Sequence, residues 1–119
     1  MKDECGPLYA LGMIIRFCNS IRSAMERFGN DEEDFLGDEL YQNSCCFALI
    51  QIGEYVKKLP KEITKEHPDI EWSEFAGLRD FIAHSYHKTN MHRIWIIMTE
   101  DIPLLKPRCE TILDELKNE

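Results

Sequence analysis

Residues 7–29 read PLYALGMIIRFCNSIRSAMERFG. Leu8, Leu11, Ile14 and Ile15, Cys18, Ile21, Met25 and Phe28 recur at intervals of three and four. That spacing puts them on one face of an α-helix, whereas a strand would need an apolar residue at every second position. Pro7 suits a first helical turn and Gly29 a stop. The segment is therefore expected to be an amphipathic helix of about six turns.

The same period continues outward. Leu40, Tyr41, Cys45, Ala48, Leu49, Ile52, Tyr55, Val56 and Leu59 predict a second long helix, with Asp38 available as its N-cap and Pro60 ending it. The segment between the two helices, residues 30–39, is read as a loop or frayed turn broken at Gly37. PKEITKEHP, from Pro60, has room for a short helix before Pro68. Trp72, Phe75, Leu78, Ile82 and Ser85 or Tyr86 trace one face of a third main helix, with Ser73, Asp69 or Glu71 near its start. Asn90 is a suitable N-cap for a fourth carrying Ile94, Trp95, Ile97 and Met98. Pro103 is expected to kink or restart that helix, and Leu104, Leu105, Ile112, Leu113 and Leu116 extend its apolar face. No alternating run bounded by turn residues predicts a strand. The expected fold is all-α, an up-and-down antiparallel bundle of four to five helices.

The 119 residues are expected to form a single domain spanning positions 1–119. A content of 44% hydrophobic and 30% charged residues is that of an ordinary globular chain. The N-terminal stretch has early acids and no signal-peptide pattern, and IWIIM at 94–98 is too short to span a bilayer, so a cytoplasmic location with no membrane association is expected. Five cysteines, Cys5, Cys18, Cys45, Cys46 and Cys109, form no CxxC pair and are read as reduced thiols. Neither they nor His87 and His92 have the spacing of a metal site, and no cofactor is expected. The acids at 31–34 lack calcium-loop spacing. Trp72 and Trp95 fit helix faces and are read as core or interface residues.

A net charge of −8 argues at first against a nucleic-acid partner. The charge is uneven, however. Six acids and no base lie between Asn30 and Glu39, whereas Arg79 to Arg93 holds three bases against the single acid Asp80, together with His84, His87 and His92.

Within the second region, RDFIAHSY at 79–86 offers a site. Asp80 and His84 are four apart and so neighbours on a helix, where a carboxylate would hold the imidazole in one tautomer. Arg79 and Tyr86, seven apart, also share a face. Arg79 and His84 are offset by about 140° around the axis, so one copy of the helix does not aim both at one atom, and a second chain is expected to face it. Arginine beside histidine suits metal-free phosphodiester cleavage. The guanidinium forks onto phosphate oxygens and the imidazole moves a proton to or from a ribose oxygen. The plain alternative stays open on spacing alone: Arg79 as a surface charge paired with Glu74 or Asp80, and His84 as a cation at a helix C-terminus.

RDFIAHSY also fits the pattern RX4HXY, and it follows IGEYVKKLP (52–60) and lies within HPDIEWSEFAGLRDFIAHSYHKTNMHRIWIIMTEDIPLL (67–105), with Pro68, Trp72 and Gly77 as framework. Over residues 40–113 the chain resembles HepT-like proteins, the HEPN-domain toxins of HepT–MntA toxin–antitoxin pairs. The resemblance implies a homodimeric all-α HEPN bundle acting as a metal-independent endoribonuclease toxin of a type VII system. RNA would be cut by 2′-hydroxyl attack in a composite cleft. It implies Arg79 and His84 as catalytic residues, Asp80 as the polar orienting position, and Tyr86 as the site where an MntA-like nucleotidyltransferase antitoxin attaches AMP. Two features depart from that pattern: the acidic 30–39 segment, and Asp80 in place of an amide. They keep a second reading in view, a non-catalytic HEPN scaffold that binds a nucleotidyltransferase partner or a nucleotide.

Overall fold

The structure, a computed structural model of the chain, describes residues 6–85 and 90–119, with Ser85 described by its backbone alone. Helix α1, Pro7–Phe28, has Pro7 in its first turn and buries Leu11, Ile14, Cys18 and Ile21 along one face as the spacing predicts, with Ala10 and Ala24 beside them, while Leu8 at its start is exposed. It stops at Gly29, whose φ of 128° favours glycine and whose N–H donates to the Met25 carbonyl at 2.9 Å.

The acidic segment is not a loop. Residues Glu32–Leu36 form a short helix, α2, because Phe35 among the acids is fully buried. Its ring meets Tyr41 edge-on at 5.0 Å and lies 5.6 Å from Trp95. Burying a phenylalanine stabilises by about 2 kcal/mol, enough to hold a turn whose carboxylates remain in water. Gln42 Nε2 closes the C-terminal end of α2 by donating to the carbonyls of Phe35 and Leu36, both at 3.0 Å. The Tyr41 hydroxyl donates to the Gly29 carbonyl at 2.8 Å, fixing α2 between the end of α1 and the start of the next helix.

That next helix, α3, spans Glu39–Lys57. Asp38 caps it as expected, its carboxylate accepting from the Leu40 and Tyr41 N–H groups at 3.0 and 3.2 Å. Tyr41, Cys45, Ala48, Leu49, Ile52 and Val56 form its buried face, which packs along α1. A short helix α4, Lys61–Glu66, follows Pro60. Trp72 is then locked in place by its indole N–H donating to the His67 carbonyl at 2.8 Å.

Where one third main helix is expected, the chain forms two, α5 (Trp72–Ala76) and α6 (Leu78–Ser85), with Gly77 as a turn between them. Both lie against α3. The contact is close because position 53 has no side chain: a Cβ on Gly53 would stand 2.6 Å from the Phe75 carbonyl oxygen and 3.5 Å from Leu78 Cβ.

The expected fourth helix is also divided. Helix α7, Met91–Ile96, leads into a π-helical turn, Ile97–Asp101, and then into α8, Ile102–Lys117. Asn90 occupies the N-cap of α7 but makes no side-chain cap bond. Pro103 does restart the helix, in the first turn of α8. Proline has no N–H and its ring collides with the carbonyl four residues back, so a wide turn before it removes the conflict. Pro107 lies inside α8, a position the sequence reading did not mark. Arg108 of α8 ties back to Asp69 through its Nε and an Nη at 3.0 and 2.6 Å, and that pairing holds the Asp69 carboxyl below its ordinary range. The all-α expectation therefore holds among the described residues, with no strand, but in more and shorter pieces than four to five helices. No described helix is long and apolar enough to cross a membrane.

The described cysteines are free thiols buried in the core. Loss of hydration pushes Cys18, Cys45 and Cys109 up to about 12 and Cys46 to about 11, so none is a thiolate near neutral pH. A thiol-alkylating reagent at about pH 8 is expected to leave these four unlabelled in the folded protein and to label them in denaturant, as read by intact mass. Rapid native labelling of any of them would show that the core opens there.

The glycines give a second test. Gly12, inside α1, has nothing within 4 Å of a built Cβ. Gly12→Ala is therefore expected to stabilise by about 0.5–1 kcal/mol. Gly53→Ala, which must push apart α3 and α5, is expected to destabilise by about 1–3 kcal/mol. Opposite shifts of the unfolding midpoint in thermal or urea melts are the expected outcome.

Candidate active site

Helix α6 enters the core on Leu78 and Ile82, which leaves Arg79, Asp80, Ala83 and His84 at the surface. Arg79 lines an open groove of about 480 Å³ whose other wall is α3, through Asn43, Cys46, Phe47 and Ile50. Among the described residues no carboxylate lines this groove. Among the described residues Arg79 has no ion-pair partner, so the pairing with Glu74 or Asp80 that the sequence left open does not form. An arginine without a carboxylate keeps its fork of donors for another anion with two oxygens to offer, and a phosphate fits it.

His84 sits in the last turn of α6 with Nδ1 2.8 Å from the main-chain oxygen of Asp80. A carbonyl only accepts, so Nδ1 carries the hydrogen and donates, and the neutral ring presents the lone pair of Nε2 to solvent. The expected orienting group was the Asp80 carboxylate. The group that holds the ring is instead the Asp80 backbone, because four residues in a helix bring a side chain back over the preceding turn's carbonyl. His84 is thereby oriented as a base without a second charge.

Because α6 is helical through both residues, the offset of about 140° between Arg79 and His84 remains. Arg79 turns toward α3, and His84 points away from that groove, whose lining does not include it. One chain does not bring the two to a common point. Tyr86, His87, Lys88 and Cys5 lie outside the described residues.

The remaining candidates resolve plainly. His92 Nδ1 pairs with a Glu32 carboxylate oxygen, tying α7 to α2. Among the described residues no three His, Cys, Asp or Glu side chains are grouped to hold a metal ion. Trp95 stands in the aromatic cluster with Phe35 and Tyr41, and Trp72 is buried, as their helix faces imply. Sequence reasoning missed the α3 wall of the groove. Leu40 and Phe47, seven residues apart, are 67% and 57% exposed on the side of α3 turned away from the core. Phe47, a large apolar residue off the helix's apolar pattern, was the available signal, whereas Leu40, which the spacing placed on the apolar face, is exposed instead.

Residues 16–112 match the family described as "Ribonuclease HepT-like". The "Probable ribonuclease HepT" of Thermococcus cleftensis is 39% identical over 80 residues, covering 67% of this chain and 73% of that one. A "Putative RNase" of Caldanaerobacter subterraneus subsp. tengcongensis is 38% identical over 85 residues, covering 71% of this chain and 76% of that one. No solved structure matches. With the matched span running from within α1 to within α8 and enclosing both walls of the groove as well as His84, the chain belongs to the HepT-like ribonuclease family.

Proposed function

We propose that this chain is a metal-independent endoribonuclease that works as a homodimer and serves as the toxin of a HepT–MntA-type pair. The observation that carries the reading is the pairing of an arginine that has no carboxylate partner with a histidine whose tautomer is set for proton abstraction, on one helix. His84 Nε2 takes the proton of a ribose 2′-hydroxyl, and that oxygen bonds to the adjacent phosphorus. The P–O5′ bond breaks, and the leaving oxygen takes a proton from an imidazolium in the second copy of the site. The products are a 2′,3′-cyclic phosphate and a free 5′-hydroxyl. Arg79 binds the non-bridging oxygens, whose charge grows in the pentavalent state. Asp80 is a positioning residue acting through its carbonyl.

The offset between Arg79 and His84 asks for two chains, and the exposed Leu40 and Phe47 offer the seam, since apolar side chains beside the Arg79 groove gain by leaving water. The proposed antitoxin is an MntA-like nucleotidyltransferase. It would attach AMP to Tyr86, the tyrosine oxygen bonding to the α-phosphorus of ATP and pyrophosphate leaving. A phosphate added two residues from His84 would occupy the arginine and repel an RNA backbone. The net charge of −8 favours the second reading, a non-catalytic scaffold for the nucleotidyltransferase.

RNA cleavage in EDTA separates the two. Arg79→Ala and His84→Ala are each expected to lose about 100-fold or more, while Asp80→Ala stays within several-fold because its backbone carbonyl remains. Residual cleavage unchanged in all three would leave only the scaffold. Mixing the Arg79→Ala and His84→Ala proteins is expected to restore activity that neither has alone, and Phe47→Asp to give a monomer by light scattering with cleavage lost. A Phe47→Asp monomer that cleaves normally would sink the composite site. After co-expression with the antitoxin, mass additions of one or more AMP units are expected on the wild type and absent from Tyr86→Phe.

A further inference from the structure

The acidity of the chain conceals a cationic helix. Within α1 lie Arg16, Arg22 and Arg27 against one acid, Glu26, a net +2 in a chain of −8. Arg22 is engaged with Glu26 at 3.7 Å. Arg16 and Arg27 are not: among the described residues neither has an ion-pair partner. Eleven residues apart, they fall about 20° from a common line along the helix. Between them runs a surface groove of about 340 Å³, bounded also by Ser20 and Ser23 of α1 and Ser44 of α3, with no carboxylate among the described residues of its lining.

This groove adjoins the one that holds Arg79. Ser44 belongs to the α1 groove, and its neighbour Asn43 to the Arg79 groove. Phe17, next to Arg16, meets Phe47 edge-on at 6.0 Å. The two grooves therefore share α3 as a wall.

We propose that the Arg16–Arg27 groove is a phosphate-binding track that carries the single-stranded RNA backbone leading to Arg79. The inference rests on the ribonuclease reading for its substrate. Arg16 and Arg27 stand about 16 Å apart along the axis, farther than one phosphate group reaches, which selects a polyanion over a free phosphate. The Ser23 and Ser44 hydroxyls suit phosphate oxygens, while Ser20, whose hydroxyl donates to the Arg16 carbonyl at 3.2 Å, can still accept from a ribose 2′-hydroxyl, contacts that position a strand without reading its bases. The Asp34 carboxylate of α2 packs against Gly29, two residues beyond Arg27, and is not part of the groove's lining.

The test uses Arg16→Ala/Arg27→Ala, with Arg22→Ala as control. In a His84→Ala background, binding of a roughly 20-nucleotide oligouridylate by fluorescence anisotropy is expected to weaken about tenfold for the double variant. The slope of log affinity against log salt is expected to flatten by about 1.4, the value for two lost single-strand phosphate contacts. The control should match the parent in both. With His84 intact, the double variant should cleave a dinucleotide as well as wild type and a long RNA poorly, and its melting curve should be unchanged. Unaltered affinity and salt slope would overturn the track even if the protein is a ribonuclease. Arginine-dependent RNA binding by a protein that never cleaves would uphold the track and overturn the catalytic reading. Loss of nucleotidyltransferase binding with RNA binding intact would overturn it in favour of a protein interface.

Discussion

The backbone of α3 passes the junction of α5 and α6 with room for a hydrogen and nothing larger at Gly53. That approach sets how deep α6 sits, and the entry of Leu78 and Ile82 into the core sets its rotation. A close-packed interior does not let a helix roll by a fraction of a turn without opening voids or clashes. With depth and rotation fixed, Arg79 must face the α3 wall and His84 must face elsewhere. The division of the site between two directions follows from packing, and so does the need for a second chain if both groups are to meet one phosphate.

A second constraint organises the other end of the molecule. Phe35 is set among Tyr41 and Trp95, Tyr41 stacks on Phe28 at 5.2 Å, and its hydroxyl reaches Gly29. One aromatic cluster thus joins α1, α2, α3 and α7. The acids of α2 are carried on this scaffold instead of on a free loop, and His92 adds a tie from α7 to Glu32. Their positions relative to the arginines of α1 are therefore built in.

The sequence showed the long elements well, because α1 and α3 repeat their apolar residues over five or six turns and carry orthodox ends in Pro7, Gly29, Asp38 and Pro60. It failed where one residue outweighs its neighbours. Phe35 is a single apolar position inside an acidic run, so local composition pointed to a loop while burial decided for a helix. Gly77 and the π turn before Pro103 interrupt patterns that stay periodic on both sides, and periodicity alone does not see such a break. At the site, residue types and spacing gave Arg79 and His84 as candidates. The role of the Asp80 backbone was hidden, because a main-chain carbonyl is present at every position and leaves no signature in residue identity. The α3 wall was hidden for another reason: Asn43 and Phe47 come near Arg79 only through the tertiary contact at Gly53.

Net charge is a sum that the surface does not share evenly. At physiological ionic strength a charge is felt over about 8 Å, so a phosphate responds to the side chains it touches more than to the sum over the chain. In the Arg79 and Arg16–Arg27 grooves those side chains are arginine, serine, asparagine and apolar residues, without a carboxylate. The surplus acid lies elsewhere, most densely on α2. For an enzyme acting on RNA such segregation has a physical use. A uniformly basic surface binds nucleic acid in many registers, nearly all of them unproductive, whereas acid outside the two grooves disfavours registers that cross it. On the proposed ribonuclease reading, the acidity that first argued against an RNA partner would help to place a strand.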